Sequence, residues 1–194
     1  MVSVEDEFKY TGLHAFIFIN ELDPGRNIRT VINDLRALGP PPDGEVIFAA
    51  ETVGSSLGFV HVRLDDPDDL RGLQDLIANK LWKLGVHCDH CIEKDTSNRN
   101  GNRQGVKRDT PEIIAISKLR VQPGAIPQLL DDLADPEGPI GSTFKGASVI
   151  FGKWDVLVQL GGEDFTTVAN AVFEDLPRFD AILHSDTLFT DGRH

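Results

Sequence analysis

The chain is poor in the features that mark secreted, membrane or nucleic-acid-binding proteins. Its 194 residues hold two cysteines, three positions apart, and such a pair cannot staple a fold of this size. That usage fits a reducing compartment, and a cytoplasmic location is expected. No stretch approaches the roughly 18 apolar residues of a membrane span, and residues 1–9 are acidic where a signal peptide would be basic and then apolar. Basic residues are scarce too: 19 Lys and Arg stand against 31 Asp and Glu, a net charge of −12. Such a surface repels a phosphate backbone, so neither nucleic acid nor membrane is expected as a partner. A nucleophile elbow, a phosphate loop and a carboxylate pair at catalytic spacing are all missing.

What the chain does contain is one pattern written twice. Residues 13–93 read as strand, helix, strand, strand, helix, strand, and residues 112–190 read the same way. An apolar strand at 15–19 precedes Asp23-Pro24-Gly25, and one at 113–116 precedes Gln122-Pro123-Gly124, an offset of 99 between the Pro-Gly pairs. Matching Leu64 to Leu160 and Val86 to Ile182 gives an offset of 96. This element order is the ferredoxin-like plan, a four-stranded sheet with helices on one face and the other face bare. The natural cover is the sheet of the sibling copy. The expected fold is therefore α+β: two ferredoxin-like βαββαβ repeats in a dimeric α+β barrel-like arrangement within one chain.

Residues 1–12 read as an N-terminal arm and 94–111 as a flexible linker, polar and without apolar periodicity. The linker is locally basic through Lys94, Arg99, Arg103, Lys107 and Arg108. Helical stripes are expected at Ile28, Val31, Ile32 and Leu35, and at Leu70, Leu73, Leu76, Ile77 and Leu81. In the second copy Pro127 falls in the opening turn of one helix, Asp164 or a neighbour can cap the next, and Phe165, Val168, Ala169, Val172 and Phe173 form its buried stripe. Sheet edges left outside the pair make a homo-oligomer the expected assembly.

The densest chemical cluster is His87-Cys88-Asp89-His90-Cys91. A second ligand pair for a structural zinc site is absent, and a strand points residues three apart to opposite faces. Strand order 4-1-3-2 would place His14, Phe16 and Phe18 beside Phe59, His61 and Arg63 on the face away from the helices. With His87 or His90 added, three imidazoles could bind a divalent metal or act in acid–base chemistry; the alternative is a polar lining. The metal candidates are thus His14, His61, His87 and His90, and no cofactor is assigned.

The stretch from Gly146 to Val158 resembles the effector-binding domain of the Lrp/AsnC regulators. The likeness rests on the turn Gly152-Lys153-Trp154-Asp155 between two aliphatic strands, and on a closing strand that places Ser185 and Thr187 at the family's hydroxyl positions. The resemblance implies a site for a small effector, usually an amino acid, near that turn, with Gly152, Trp154, Asp155, Ser185 and Thr187 as candidate ligand-binding residues. At the 96 offset Gly152 falls on Ser56 and Asp155 on Phe59, and Ser185 and Thr187 fall on Asp89 and Cys91, so the motif is expected in the second copy alone. The regulators' helix-turn-helix does not fit in residues 1–12. The functional expectation is a stand-alone small-molecule-binding or regulatory protein; the alternatives are a dimeric α+β barrel enzyme using cofactor-free, haem or metal oxidation, and a structural assembly module.

Overall fold

A computed structural model describes residues 13–37, 44–64, 70–93 and 112–192; the expected arm (1–12) and linker (94–111) lie outside the described residues. The first half supplies strands β1 (Leu13–Leu22), β2 (Gly44–Glu51), β3 (Gly58–Leu64) and β4 (Val86–Glu93), with helices α1 (Ile28–Ala37) and α2 (Leu70–Asp75). The second supplies β5 (Ile113–Val121), β6 (Phe144–Phe151), β7 (Val156–Gly162) and β8 (Ile182–Asp191), with α3 (Ile126–Leu133) and α4 (Phe165–Asn170). Both α2 and α4 widen into π-helical turns, Leu76–Leu81 and Ala171–Asp175, and finish in a 3-10 turn. Asp164 caps α4 by accepting a hydrogen bond from the Thr167 amide at 2.9 Å. Among the described residues no helix is long and apolar enough to cross a membrane.

The strands pair antiparallel in one sheet, β2-β3-β1-β4-β6-β7-β5-β8, which repeats the order 4-1-3-2 in each half. β4 and β6 join the halves, with Ile92 opposite Phe151 and Glu93 opposite Ile150. The two ends of the order also meet: Val53, just after β2, bridges Phe189 of β8 through backbone hydrogen bonds of 2.8 and 2.9 Å. The sheet thereby closes on itself, and its halves face each other.

Strand alternation sorts the side chains into three cores. Ala15, Ile17 and Ile19 of β1 pack with Val31, Ile32 and Leu35 of α1 and with Leu73, Leu76 and Leu81. In the second half Ala115 and Leu119 pack with Leu129, Leu133, Val168 and Val172. The opposite phase, Phe16, Phe18, Phe59 and Cys91, meets Ile114, Ile116, Ile150, Leu157 and Leu188 in a core made by both halves. Each large side chain buried there contributes about 1.5–3 kcal/mol. Three residues expected in helix stripes are exceptions: Leu70, Phe165 and Phe173 stand exposed. A stripe defines the direction of the buried face, not how much of each side chain on it is covered.

The register corrects the 96 offset. The Thr52 amide donates to Leu57 O as the Ile150 amide donates to Asp155 O, and the amides of Leu57 and Asp155 donate to Ile19 O and Leu119 O respectively. Leu57 is therefore the counterpart of Asp155, and Gly54 that of Gly152, at an offset of 98. Their φ angles agree, 143° and 146°. The turn glycine is present in both halves; only the aspartate is replaced. Ile19 faces Cys88 and Leu119 faces Ser185, so Ser185 and Thr187 correspond to Cys88 and His90, not to Asp89 and Cys91.

These two turns sit at the joints between the halves. A Cβ on Gly54 would lie 2.6 Å from Thr187 O, whereas one on Gly152 would lie 3.5 Å from Cys91 Cβ. Gly152→Ala should then cost about 1–3 kcal/mol through backbone strain alone. Gly54→Ala, which adds a clash with backbone, should cost measurably more in urea unfolding of the two variants.

Candidate functional site

The interior between the half-sheets is lined mainly by apolar side chains, with one polar group near the start of β1 and another near the end of β5. The first lies in the first half. His14 and His61, on neighbouring strands, join Nδ1 to Nε2 at 2.9 Å, and His61 stacks obliquely on Phe16 at 4.5 Å. One imidazole must donate and the other accept, so at least one of the pair is neutral and the couple can pass a proton between its rings. Arg63 is the strand partner of His14.

The other histidines proposed for a metal lie elsewhere. His87 Nε2 contacts Asp23 Oδ1 at 3.0 Å in a solvent-exposed pair, beside a cavity of about 260 Å³ lined also by Trp82, Gly85 and Val86. His90 pairs with Ile17, whose side chain points to the helices, and is exposed. Among the described residues no group of three or more His, Cys, Asp or Glu is placed to hold a metal ion. The cysteines diverge as the strand geometry requires: Cys88 packs on the helix-side core and Cys91 in the interior. Burial, then the charge of Asp89, pushes the Cys88 thiol up to about 11, and burial pushes Cys91 up to about 12 against the opposing pull of Lys118. Both are protonated at neutral pH and poor nucleophiles.

The second polar group is built by both halves. Lys118 of β5 occupies an interior position in phase with Ile114 and Ile116, and its side chain is 7% exposed. Its Nζ lies 2.7 Å from Asp186 Oδ2, whose side chain is 25% exposed, and donates to Ser55 Oγ at 3.2 Å. Ser55, from the loop after β2, in turn donates to Asp186 at 2.8 Å. The ammonium also stands 4.7 Å from the Phe18 ring centre and 5.6 Å from that of Trp154. Trp154 stacks on His184, 5.6 Å apart and within 11° of parallel. Burial alone would raise the Asp186 carboxyl. The hydrogen bonds from Lys118 and Ser55, with the charges of Lys118 and His184, outweigh it and hold the carboxyl below its ordinary value.

The residues named by the family resemblance divide between this site and its frame. Trp154 belongs to the site. Asp155 holds the turn: its Oδ2 accepts from the Val121 amide at 2.9 Å and lies 3.5 Å from Arg120 Nε. Gly152 allows the backbone to pass over β4. Thr187 turns to the other face of β8, where its hydroxyl bonds Ser117 at 2.8 Å, and Ser185 shares that phase. Lys118 and Asp186 escaped the sequence reading, although opposite charges on the interior phase of adjacent strands were the available signal.

No family model and no curated protein matches the chain. Solved structures do. An anthrone oxidase-like protein is 11% identical, covers 100% of this chain and 97% of its own, and has a TM-score of 0.58. A protein provisionally identified as a chlorite dismutase is 11% identical over 93% of this chain and 94% of its own, with a TM-score of 0.54. A shorter protein, FFRP-DM1, is 19% identical over 40% of this chain and 97% of its own, with a TM-score of 0.35. At such identities the likeness is one of fold alone.

The ion pair makes an asymmetric forecast. Asp186→Asn strands a buried ammonium and should cost about 3 kcal/mol, whereas Lys118→Met leaves a carboxylate that water can reach and should cost little. The double variant should recover most of the loss. Because the Asp186 carboxyl is held low when folded, its contribution is present above its unfolded value of about 4 and disappears as pH falls through the folded one. Urea unfolding of the wild type and Asp186→Asn at neutral pH and in acid should show the gap closing.

Proposed function

We propose that the chain is a fused α+β barrel of two ferredoxin-like repeats that binds a small zwitterion of the amino-acid type, without gripping DNA itself. The observation that carries this reading is the ion pair between β5 and β8. Lys118 and Asp186 present a cation and an anion side by side at 2.7 Å, the two charges that a ligand carboxylate and ammonium need. Ser55 adds a hydroxyl, and Trp154 with Phe18 adds an apolar wall for the rest of the molecule. Asp155 and Gly152 act by positioning Trp154. In the free protein the pair neutralises itself, so binding exchanges one ion pair for two and selects against ligands that carry a single charge.

A second reading, an acid–base enzyme of the barrel class, draws on the His14–His61 couple in the same interior and on the full-length likeness of fold. Stoichiometric metal or haem in freshly purified protein would favour it.

Thermal denaturation with a panel of amino acids tests the first reading. One or more should raise the melting temperature with concentration, reaching about 2.7 kcal/mol of stabilisation at a hundred times Kd. Lys118→Met should abolish that rise, and the decarboxylated amine of the active compound should give none. A flat response across the panel would overturn the proposal.

A further inference from the structure

Helix α4 carries an apolar surface that the ligand reading does not use. Phe165 and Phe173 are 55% and 64% exposed, although burial of such rings is the norm. They stand either side of Phe189 on β8, at ring-centre distances of 5.1 and 6.0 Å. Spaced at i and i+8 with the small Ala169 midway between them in sequence, both rings contact the same residue of β8, and the helix widens into its π-helical turn at Ala171 between them. This apolar surface borders the joint where Val53 bridges Phe189 and the sheet closes through a single bridge.

Charge defines what can lie there. Glu163 and Asp164 precede Phe165, and Glu174 and Asp175 follow Phe173; Arg178 is the one basic residue in 163–178, and Asp175 holds it at 3.2 Å. The Asp164 carboxyl is kept low by the Thr167 amide and hydroxyl and stays ionised. A second copy of this chain, with its net charge of −12, would set the same acids against each other, and an anionic lipid surface would be repelled.

We propose that Phe165, Ala169, Phe173 and Phe189 form a docking site for a basic amphipathic helix of a partner protein. An apolar side chain of that helix seats over Ala169 between the two phenyl rings, and its flanking lysines or arginines meet Glu163, Asp164 and Glu174. This is the helix-in-groove mode, in which anchors at i, i+3/i+4 and i+7 supply affinity and rim charges supply orientation and rate.

A fluorescein-labelled 18-residue helical peptide, leucine on one face and lysine on the other, is the probe for anisotropy titration against the full chain. Wild type should bind it and lose affinity as salt rises. Phe173→Ser and Phe165→Ser should each weaken binding at least tenfold, and Glu174→Lys should weaken it further at low salt than at high salt. All three side chains are exposed, so their melting temperatures should stay close to that of wild type, and Glu174→Lys leaves the apolar surface intact if a phenyl replacement proves harmful. A peptide with glutamate in place of lysine should not bind. Equal binding by wild type and both serine variants, no binding by wild type, or a wild-type dimer in sedimentation that Phe173→Ser converts to monomer would each overturn the proposal.

Discussion

A four-stranded sheet with helices on one side and apolar side chains on the other must cover that second side, and the rest of this molecule is arranged around how it is covered. Here the two half-sheets cover each other. Phe16, Phe18 and Phe59 from one half lie against Ile114, Ile116, Leu157 and Leu188 from the other. The cover is held at two joints of the same design, Ile92 with Phe151 and Val53 with Phe189. At each joint a glycine with positive φ lets the turn pass close to the opposite half.

Within that shared core the halves have diverged. The His14–His61 couple occupies one half, while Lys118 of the other projects across the interior toward Phe18. A buried ammonium is costly unless paired: Asp186 of β8, on the neighbouring strand of the same half, supplies the counter-charge, and Ser55, from the loop after β2, adds a hydroxyl from the other half. Closure of the sheet therefore adds the Ser55 hydroxyl and the Phe18 ring to an ion pair that the second half makes by itself.

The α+β class, the order of strands in each half and the facing of the two half-sheets were legible from apolar alternation and from the Pro-Gly turns. The register was not. A slip of two residues keeps every side chain on its own face, so matching Leu64 to Leu160 fits the apolar pattern as well as the true pairing and hides the kinship of Gly54 and Gly152. Cys88 and Cys91 could be separated by strand geometry alone. Lys118 and Asp186 could not be paired, because their meeting depends on which residues face each other across β5 and β8. The exposure of Phe165 and Phe173 was hidden for a different reason: helical period reports which way a stripe points, not how much of it is covered.

The mutual covering of the two half-sheets is tested most directly by hydrogen exchange in Leu188→Ala. Leu188 belongs to the second half and is fully buried in the shared core. The account predicts that its truncation, worth about 2–5 kcal/mol, raises amide exchange in β1 and β3 of the first half as well as in β5 and β7. Exchange that rises in the second half while β1 and β3 keep their wild-type protection would contradict it.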